Sequence, residues 1–223
     1  INIIDGFNGL ASTMSSLAFV GYAMIAWQVG DHNLAGVALV CAACVWGFFW
    51  VNWPFGKIFL GDGGSYFIGF GLAWVAVMLI ERNPSVSAFA ALLVCVHPVT
   101  EVLFSIYRRR MTRCSPGHAD RLHLHTLIMR RVVRPVLARM YPDEPKMVDR
   151  LRNSITGLLL AIGTIPAVLV ALMTVHNSAL FAALSCLGFA LGYVALYARL
   201  VRFHWCSPIT FLFVRPERLM VLR

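Results

Sequence analysis

Charged residues are scarce in this chain of 223 residues. Asp, Glu, Lys and Arg together make up 13% of it, whereas hydrophobic residues make up 59%. A soluble domain carries about twice that share of charge and cannot bury so much apolar surface. The same composition excludes disordered chains and small disulfide-rich scaffolds. The sequence therefore indicates an integral membrane protein.

The six cysteines show no metal-ligand clustering. Cys41 and Cys44 have the Cys-x-x-Cys spacing, but they lie in an apolar run without polar ligands nearby. We interpret them as buried thiols. The chain opens at Ile1, inside a polar motif and without an initiator Met. We expect it to be the carboxy-terminal part of a longer protein.

Six apolar runs are each long enough to cross a bilayer as a helix, since the hydrocarbon core is about 30 Å thick and a helix rises about 1.5 Å per residue. The runs lack the alternation of polar and apolar residues that a membrane barrel requires. The predicted fold is an all-α, polytopic transmembrane helical bundle with about six spans. The predicted spans are Leu10–Gly30, Leu34–Trp53, Gly63–Ile80, Val86–Tyr107, Ile155–Val175 and Ala179–Val201.

The basic residues fall almost entirely on one side of these spans. Eighteen of the 19 are Lys57 or lie in the stretch 108–152 or in the tail from Arg199, whereas the opposite connections contain Arg82 alone. The positive-inside rule assigns the basic side to the cytoplasm. Topology therefore accounts for the net charge of +9, and we expect no nucleic-acid partner.

Polar residues form three motifs on this same side. In the first, Asn2, Asp5 and Asn8 are three residues apart, and Gly9 follows where the chain enters a span. A spacing of three places side chains near one face of a helix. A polar cap that closes a membrane helix is an equal alternative, because Asn and Asp favour such ends.

The second motif, Gly-Asp-Gly-Gly-Ser at residues 61–65, starts the third span. Glycines around one carboxylate let backbone N–H groups approach an anion closely. Asp62 would be well placed to hold a divalent cation that bridges phosphates. An ordinary turn with Asp62 as its cap is the alternative.

The third motif lies in the basic stretch and contains His118, Asp120, Arg121, His123 and His125. In an extended loop the side chains of His123 and His125, two residues apart, point the same way. Together with Arg121 they form a donor set suited to a phosphate or diphosphate. A zinc site is the rival interpretation, but no nearby Cys or His pair has suitable spacing.

In this order the motifs resemble those of the polyprenyl-phosphate N-acetylhexosamine-1-phosphate transferase superfamily, glycosyltransferase family 4. Residues 2–11 look like its Asn-x-x-Asp-Gly-x-Asp/Asn-Gly-Leu motif, and residues 52–70 look like its Asn-x-x-Pro…Phe-x-Gly-Asp-x-Gly-Ser…Gly-Phe motif. Residues 120–125 look like its Asp-Arg-x-His-x-His motif. Residues 98–101, Pro-Val-Thr-Glu, fit the helix that precedes that loop. The resemblance covers the chain down to about Arg130.

The resemblance implies an enzyme, a glycosyl-1-phosphate transferase, in a bacterial inner membrane with its active site facing the cytoplasm. The family transfers a sugar 1-phosphate from a UDP-sugar to a polyprenyl phosphate, here undecaprenyl phosphate, and releases UMP. The Arg-x-His-x-His pattern is similar to the branch that uses UDP-N-acetylglucosamine or a related UDP-N-acetylhexosamine. The product would start a cell-envelope polysaccharide such as the lipopolysaccharide O-antigen. A homodimer is left open.

The resemblance also implies roles for single residues. Asn2 and Asp62 would coordinate Mg²⁺, with Mn²⁺ as an alternative. Asp5 would act in the catalytic cluster as a base, an outer-shell metal partner or a nucleotide contact, and Asn8 would contact the uridine. The groups that would hold the diphosphate are Arg121, His123 and His125. The predicted catalytic residues are Asp5, Asp62, His123 and His125.

The chain departs from the family pattern in two places. Thr126 stands where the family often has a third histidine, and the paired aspartates of an earlier cytoplasmic loop are absent. We therefore expect those aspartates, and about four or five spans, to precede Ile1, and we expect this piece to be inactive alone. The first span would then lack a packing partner for its small residues Gly21, Ala23 and Ala26.

Residues 1–223 are thus predicted to be one membrane-embedded catalytic domain, with residues 108–153 as a cytoplasmic basic loop. A transporter is an alternative, because His97 and Glu101 fall within a predicted span. A membrane scaffold whose basic loop docks on anionic lipids is another. The motifs lie at one membrane face rather than at mid-bilayer, which favours the enzyme. An assay of UMP release separates the three.

Overall fold

The computed structural model describes residues 1–111, 122–175 and 178–202, and these ranges contain helices and no strand. A 3-10 turn, Asn2–Ile4, precedes the first helix. The helices are α1 (Leu10–Gln28), α2 (His32–Asn52), α3 (Gly61–Arg82), α4 (Ala88–Val94), α5 (Val96–Met111), α6 (Leu124–Ile128), α7 (Arg134–Met140), α8 (Pro145–Thr174) and α9 (Ala179–Arg202), and the π-helical segment Met129–Val133 joins α6 to α7. The prediction of an all-α fold is confirmed.

Among the described residues, five helices are long and apolar enough to cross a membrane, namely α1, α2, α3, α8 and α9. A sixth crossing exists if α4 and α5 count as one span, although the two helices are bent by 84° relative to each other. The chain is therefore a multi-pass membrane protein, and its described part contains five to six helical spans, as predicted. The prediction of one continuous fourth span over Val86–Tyr107 is wrong, because that span is broken.

Pro98 explains where the fourth span breaks. A proline has no N–H, so Pro98 cannot donate a helical hydrogen bond to the carbonyl of Val94, four residues earlier. Cys95 ends α4 there, with its N–H turned to the carbonyls of Leu92 and Leu93. The chain then continues as α5 in a new direction.

Helix α1 lies at the centre of the bundle. In the most apolar stretch of α1, 72% of the residues are buried, whereas the corresponding share is 17–44% in the other four candidate spans. Helix α1 packs against α2, α3, α4 and α8. A Cβ at Gly21 would lie 3.0 Å from Val168 on α8 and 3.1 Å from Val94 on α4. Gly21, Ala23 and Ala26 are all buried. The expectation that this small-residue face lacks a partner is wrong, because other helices of the same chain cover α1.

Helix α2, in contrast, presents much of its surface outward. Val40, Trp46 and Trp50 are exposed large apolar residues on it, which suits a helix that faces lipid. Cys41 is half-buried and Cys44 is exposed on the same helix. The interpretation of these cysteines as buried thiols is therefore wrong for Cys44.

Most of the described part of the predicted basic loop is helical. Beyond residue 121 the chain passes through α6, the π-helical segment and α7 into α8. A small cluster of Val133, Leu137 and Val148 packs α7 onto the first turns of α8. The chain therefore returns to the bundle through α8, whose first turns carry the last basic residues of this stretch. The motif residues that lie outside the described ranges are His118, Asp120 and Arg121.

The two ends of the bundle differ in character. We call the end at which α1 and α3 begin the motif end, because the first two polar motifs and the described part of the third lie there. At the opposite end Asp31 accepts hydrogen bonds from Arg82 at 2.8 and 2.9 Å and from the backbone N–H of Leu34 at 3.1 Å. Burial opposes ionisation of Asp31, but these hydrogen bonds together lower its pKa. The ion pair ties the turn between α1 and α2 to the end of α3.

Candidate active site

The first two motifs meet at the motif end. Asn2 lies in the 3-10 turn before α1, and Asp62 lies in the first turn of α3. Asn2 Nδ2 donates to Asp62 Oδ1 at 3.0 Å and lies 3.5 Å from the hydroxyl of Tyr66. The expectation that Asn2 and Asp62 approach closely is confirmed. Both side chains are exposed, so a ligand can reach them.

Asp5 also contacts the start of α3, at the junction where the first motif meets the second. Its Oδ2 accepts a hydrogen bond from the backbone N–H of Gly61 at 3.0 Å, at the start of α3. Gly61 has φ +62°, a left-handed conformation that glycine adopts without strain. Burial raises the pKa of Asp5, while hydrogen bonds from the N–H groups of Gly61 and Leu60 act in the opposite direction. Asp5 therefore links the first motif to the second, and its catalytic role stays a prediction.

Asn52, the last residue of α2, connects the turn between α2 and α3 to the first motif by hydrogen bonds. Its Oδ1 accepts from the backbone N–H of Gly9, and its Nδ2 donates to the carbonyl of Ile58 at 2.6 Å. Gly9 has φ +76°, and a Cβ there would lie 2.9 Å from the ring of Trp53. A larger residue than glycine would therefore be strained at this junction.

Asn8 is buried at the same junction and is only 7% exposed. Its Nδ2 donates to the carbonyl of Pro54 at 2.8 Å and to Ser154 Oγ at 3.2 Å. The Ser154 hydroxyl also donates to the Pro54 carbonyl. Helix α8 approaches closely here, since a Cβ at Gly157 would lie 2.5 Å from the carbonyl oxygen of Asn8. The sequence reasoning missed Ser154, and the contact of Asn8 with uridine stays a prediction.

The described part of the third motif reaches the same region. His123 has extended backbone angles at the start of α6, and His125 lies in its first turn. Their rings stack with centroids 5.2 Å apart and planes 10° apart. The prediction assumed an extended loop through both residues, whereas His125 already lies in helix α6. The ring of His125 is buried and packs edge-on against Phe7 of the first motif, at 4.8 Å. The histidine pair thus adjoins the first motif.

A buried carboxylate holds this histidine pair. The sequence placed it in the helix that precedes the third motif and, under the transporter alternative, within a span. Glu101 on α5 is 1% exposed, and its Oε1 accepts from His123 Nδ1 at 2.9 Å. Its Oε2 accepts from the hydroxyl of Tyr193 on α9 at 2.7 Å. Resemblance drew attention to Glu101, but no sequence signal pointed to Tyr193, which lies 92 residues away.

The donor set at the motif end fits Mg²⁺ better than zinc. Mg²⁺ binds oxygen ligands and keeps several waters or substrate phosphate oxygens, so it needs few protein ligands. The Asp62 carboxylate and the Asn2 amide provide two such ligands side by side. Within the described residues, no group of three or more His, Cys, Asp or Glu side chains could hold a metal ion, whereas structural zinc needs about four ligands.

These features define a multi-pass membrane protein with a polar site at one end of its helical bundle. Residues 1–80 are similar to the family model described as glycosyl transferase family 4. The matched range includes Asn2, Asp5, Asn8 and Asp62. The resemblance inferred from the motifs is therefore confirmed.

Several curated relatives carry the name undecaprenyl-phosphate alpha-N-acetylglucosaminyl 1-phosphate transferase. Those of Escherichia coli strain K12 and Salmonella typhi are each 31% identical to this chain over 134 residues, and that of Yersinia pestis is 30% identical over 134 residues. The matches cover 58% of this chain and 36–37% of each relative. The chain thus matches little more than a third of the relatives' length. No solved structure matches it.

Proposed function

We propose that this chain belongs to an enzyme that transfers a sugar 1-phosphate from a UDP-sugar to undecaprenyl phosphate and releases UMP. The observation that carries the proposal is the hydrogen bond between Asn2 and Asp62 at 3.0 Å. It joins two motifs that are 60 residues apart in the sequence, and both side chains are exposed, so a ligand can reach them. The names of the relatives support the same reaction.

The reaction joins two anions, so it requires charge neutralisation and in-line positioning of the phosphates. Bound Mg²⁺, or Mn²⁺, would neutralise charge on the diphosphate. Asn2 and Asp62 would hold the ion, and coordination by both would replace their mutual hydrogen bond. A lipid phosphate is already ionised at neutral pH, so Asp5 need not act as a base.

The remaining residues would bind and orient the UDP-sugar. His123 and His125 present stacked rings next to the first motif, where together with Arg121 they would hold the diphosphate. Asn8 would contact the uridine, although its amide nitrogen already bonds within the protein. The donor sugar would be UDP-N-acetylglucosamine, as in the relatives' names.

The proposed location is a bacterial inner membrane with the motif end facing the cytoplasm. Eighteen of the 19 basic residues belong to that side by the order of the spans, which supports this orientation. UDP-sugars are cytoplasmic metabolites, so the site would face its substrate. The product would start a cell-envelope polysaccharide such as the O-antigen, and a homodimer stays open.

The variant Asp62→Asn tests the proposal in the complete protein. Loss of the carboxylate removes a metal ligand, so we expect UMP release from UDP-N-acetylglucosamine, Mg²⁺ and undecaprenyl phosphate to fall at least about 100-fold. Glu81→Gln is a matched control, because Glu81 is an exposed acid at the other end of the same helix α3. It should retain wild-type turnover. Equal activity of the two variants would contradict the proposal.

A further inference from the structure

Glu101 is a buried acid whose two oxygens are each bound to another helix. Its Oε1 accepts from His123 Nδ1 at 2.9 Å and lies 3.4 Å from the backbone N–H of Leu124. Its Oε2 accepts from the hydroxyl of Tyr193 at 2.7 Å. With 1% of its surface exposed, Glu101 depends on these partners to offset the loss of water. The carboxylate is therefore fixed in place by α6 and α9.

This arrangement determines which nitrogen of His123 carries a proton. An ionised carboxylate only accepts hydrogen bonds, so the nitrogen that faces Glu101 must be the donor, Nδ1–H. Ser105 Oγ lies 3.3 Å from the same nitrogen and adds a second polar neighbour. A ring whose Nδ1 is held in this way makes any contact with a substrate through Nε2. The orientation of the ring is fixed by the same bond.

The ring is also connected to the proposed substrate site. His123 stacks on His125 at 5.2 Å, and His125 packs against Phe7 at 4.8 Å. Phe7 belongs to the same motif as Asn2 and Asp5. A continuous series of contacts thus runs from Glu101 to the motif end.

We propose that Glu101 is a positioning residue that holds His123 in the Nδ1–H tautomer, with Tyr193 holding Glu101. The inference rests on the proposed function, because the substrate group that Nε2 would meet is the diphosphate. When the ring donates from both nitrogens it is an imidazolium, and Glu101 is then its counter-ion. Glu101, His123 and Tyr193 all lie outside residues 1–80, the range that matches the family model. A purely structural clamp between α5, α6 and α9 is the alternative.

The first test reads the tautomer directly by nitrogen NMR of ¹⁵N-histidine-labelled complete protein. The His123 signal is assigned by its loss in His123→Gln, and spectra are taken at about pH 8.5, where an ordinary histidine is neutral. Wild-type protein should show Nδ1–H. In Glu101→Ala the Nδ1–H population should fall by at least about half, because water competes for both nitrogens. An unchanged Nδ1–H signal in Glu101→Ala would overturn the proposal, whatever the activity of the protein.

The second test measures kcat and KM for UMP release. Glu101→Ala should lower kcat by about 100-fold or more, since a fixed tautomer can contribute up to about 10⁴-fold in a related arrangement of a carboxylate and a histidine. Glu101→Gln keeps an oxygen that accepts from Nδ1–H, so it should retain at least about a tenth of the turnover. KM for the UDP-sugar should change less than about threefold, because misplacement of the ring weakens stabilisation of the transition state most.

Tyr22→Phe is the matched control for Tyr193→Phe. The Tyr22 hydroxyl is buried and donates to the carbonyl of Ala91 at 3.1 Å, away from the histidines. Its loss should lower the unfolding temperature and leave kcat and the His123 signal unchanged. Tyr193→Phe should instead lower kcat about tenfold. Equal losses in Glu101→Ala and Glu101→Gln, or losses that follow the unfolding temperature alone, would overturn the positioning role.

Discussion

At the scale of single residues, ionisation of Asp31 stabilises the folded protein, because its pKa is lowered there. Its ion pair with Arg82 and its cap on α2 lower its pKa in spite of its burial. A lowered pKa in the folded state means that the stabilisation is present above the unfolded value, about 3.9, and is lost as the pH falls through the folded value. We expect Asp31→Asn to lower the unfolding temperature at about pH 7, and its difference from the wild type to narrow as the pH falls below about 3.9.

Asp149→Asn provides the control for this measurement. Asp149 also pairs with an arginine, Arg152, at 3.0 Å, but it is exposed and its partner lies three residues along the same helix. Exposed pairs of this kind contribute little to stability. Thermal unfolding in detergent at both pH values compares the two variants. A gap between wild type and Asp31→Asn that stays constant down to about pH 3 would contradict this account.

The polar side chains of the first motif do not share one helical face, although their spacing of three predicts that they do. Asn2, Asp5 and Asn8 would share one face of an α-helix, but only Asn2–Ile4 is helical, as a 3-10 turn, and the chain then turns at Gly9 before α1 begins. Asn2 is therefore exposed beside Asp62, whereas Asn8 is buried. The prediction that the three side chains share one helical face is therefore wrong, because the backbone path between them depends on contacts with α3 and α8.

At the scale of elements, the approach of α8 to the first motif depends on Gly157. A Cβ there would lie 2.5 Å from the carbonyl oxygen of Asn8, so Gly157→Ala must push α8 away from the motif. We expect a loss of about 1–3 kcal/mol in the free energy of unfolding, as for other overpacked sites. Because Ser154 on α8 also bonds to Asn8, turnover should fall as well.

Gly163→Ala is the matched substitution on the same helix. Nothing lies within 4 Å of a Cβ at Gly163. Alanine is also the better helix former by about 1 kcal/mol, so this variant should be as stable as the wild type or more stable. Denaturant or thermal unfolding in detergent compares the two. Similar destabilisation by both substitutions would show that helix α8 is sensitive to any added methyl group and that the contact with Asn8 is not the cause.

The sequence predicted most of the helices because long apolar runs determine membrane spans almost by themselves. One exception is the fourth span, where Pro98 removes one hydrogen bond and the chain bends by 84°. Hydropathy counts apolar residues and does not register a missing N–H. The stretch between residues 122 and 153 is predicted as a loop because it contains many arginines. Some of its apolar residues, Val133 and Leu137 among them, nevertheless form one side of a helical stretch that packs against α8.

At the scale of the whole molecule, the site is assembled from distant parts of the chain. The hydrogen bonds that define it join Asn2 to Asp62 and Glu101 to Tyr193. Motif order and resemblance predicted the first of these contacts. The second depends on how α9 packs against α5, and no local pattern in a lipid-facing helix encodes that packing. The Mg²⁺ site and the roles of the histidines stay predictions.

The central claim is that a sugar and its phosphate move together to the lipid. The most direct test supplies the complete protein with UDP-N-acetylglucosamine labelled with ³²P at the β-phosphate and ³H in the sugar, together with Mg²⁺ and undecaprenyl phosphate. The account predicts that both labels enter the lipid product in equal amounts and that UMP is released. Transfer of ³H without ³²P, with release of UDP, or no transfer of either label, would contradict it.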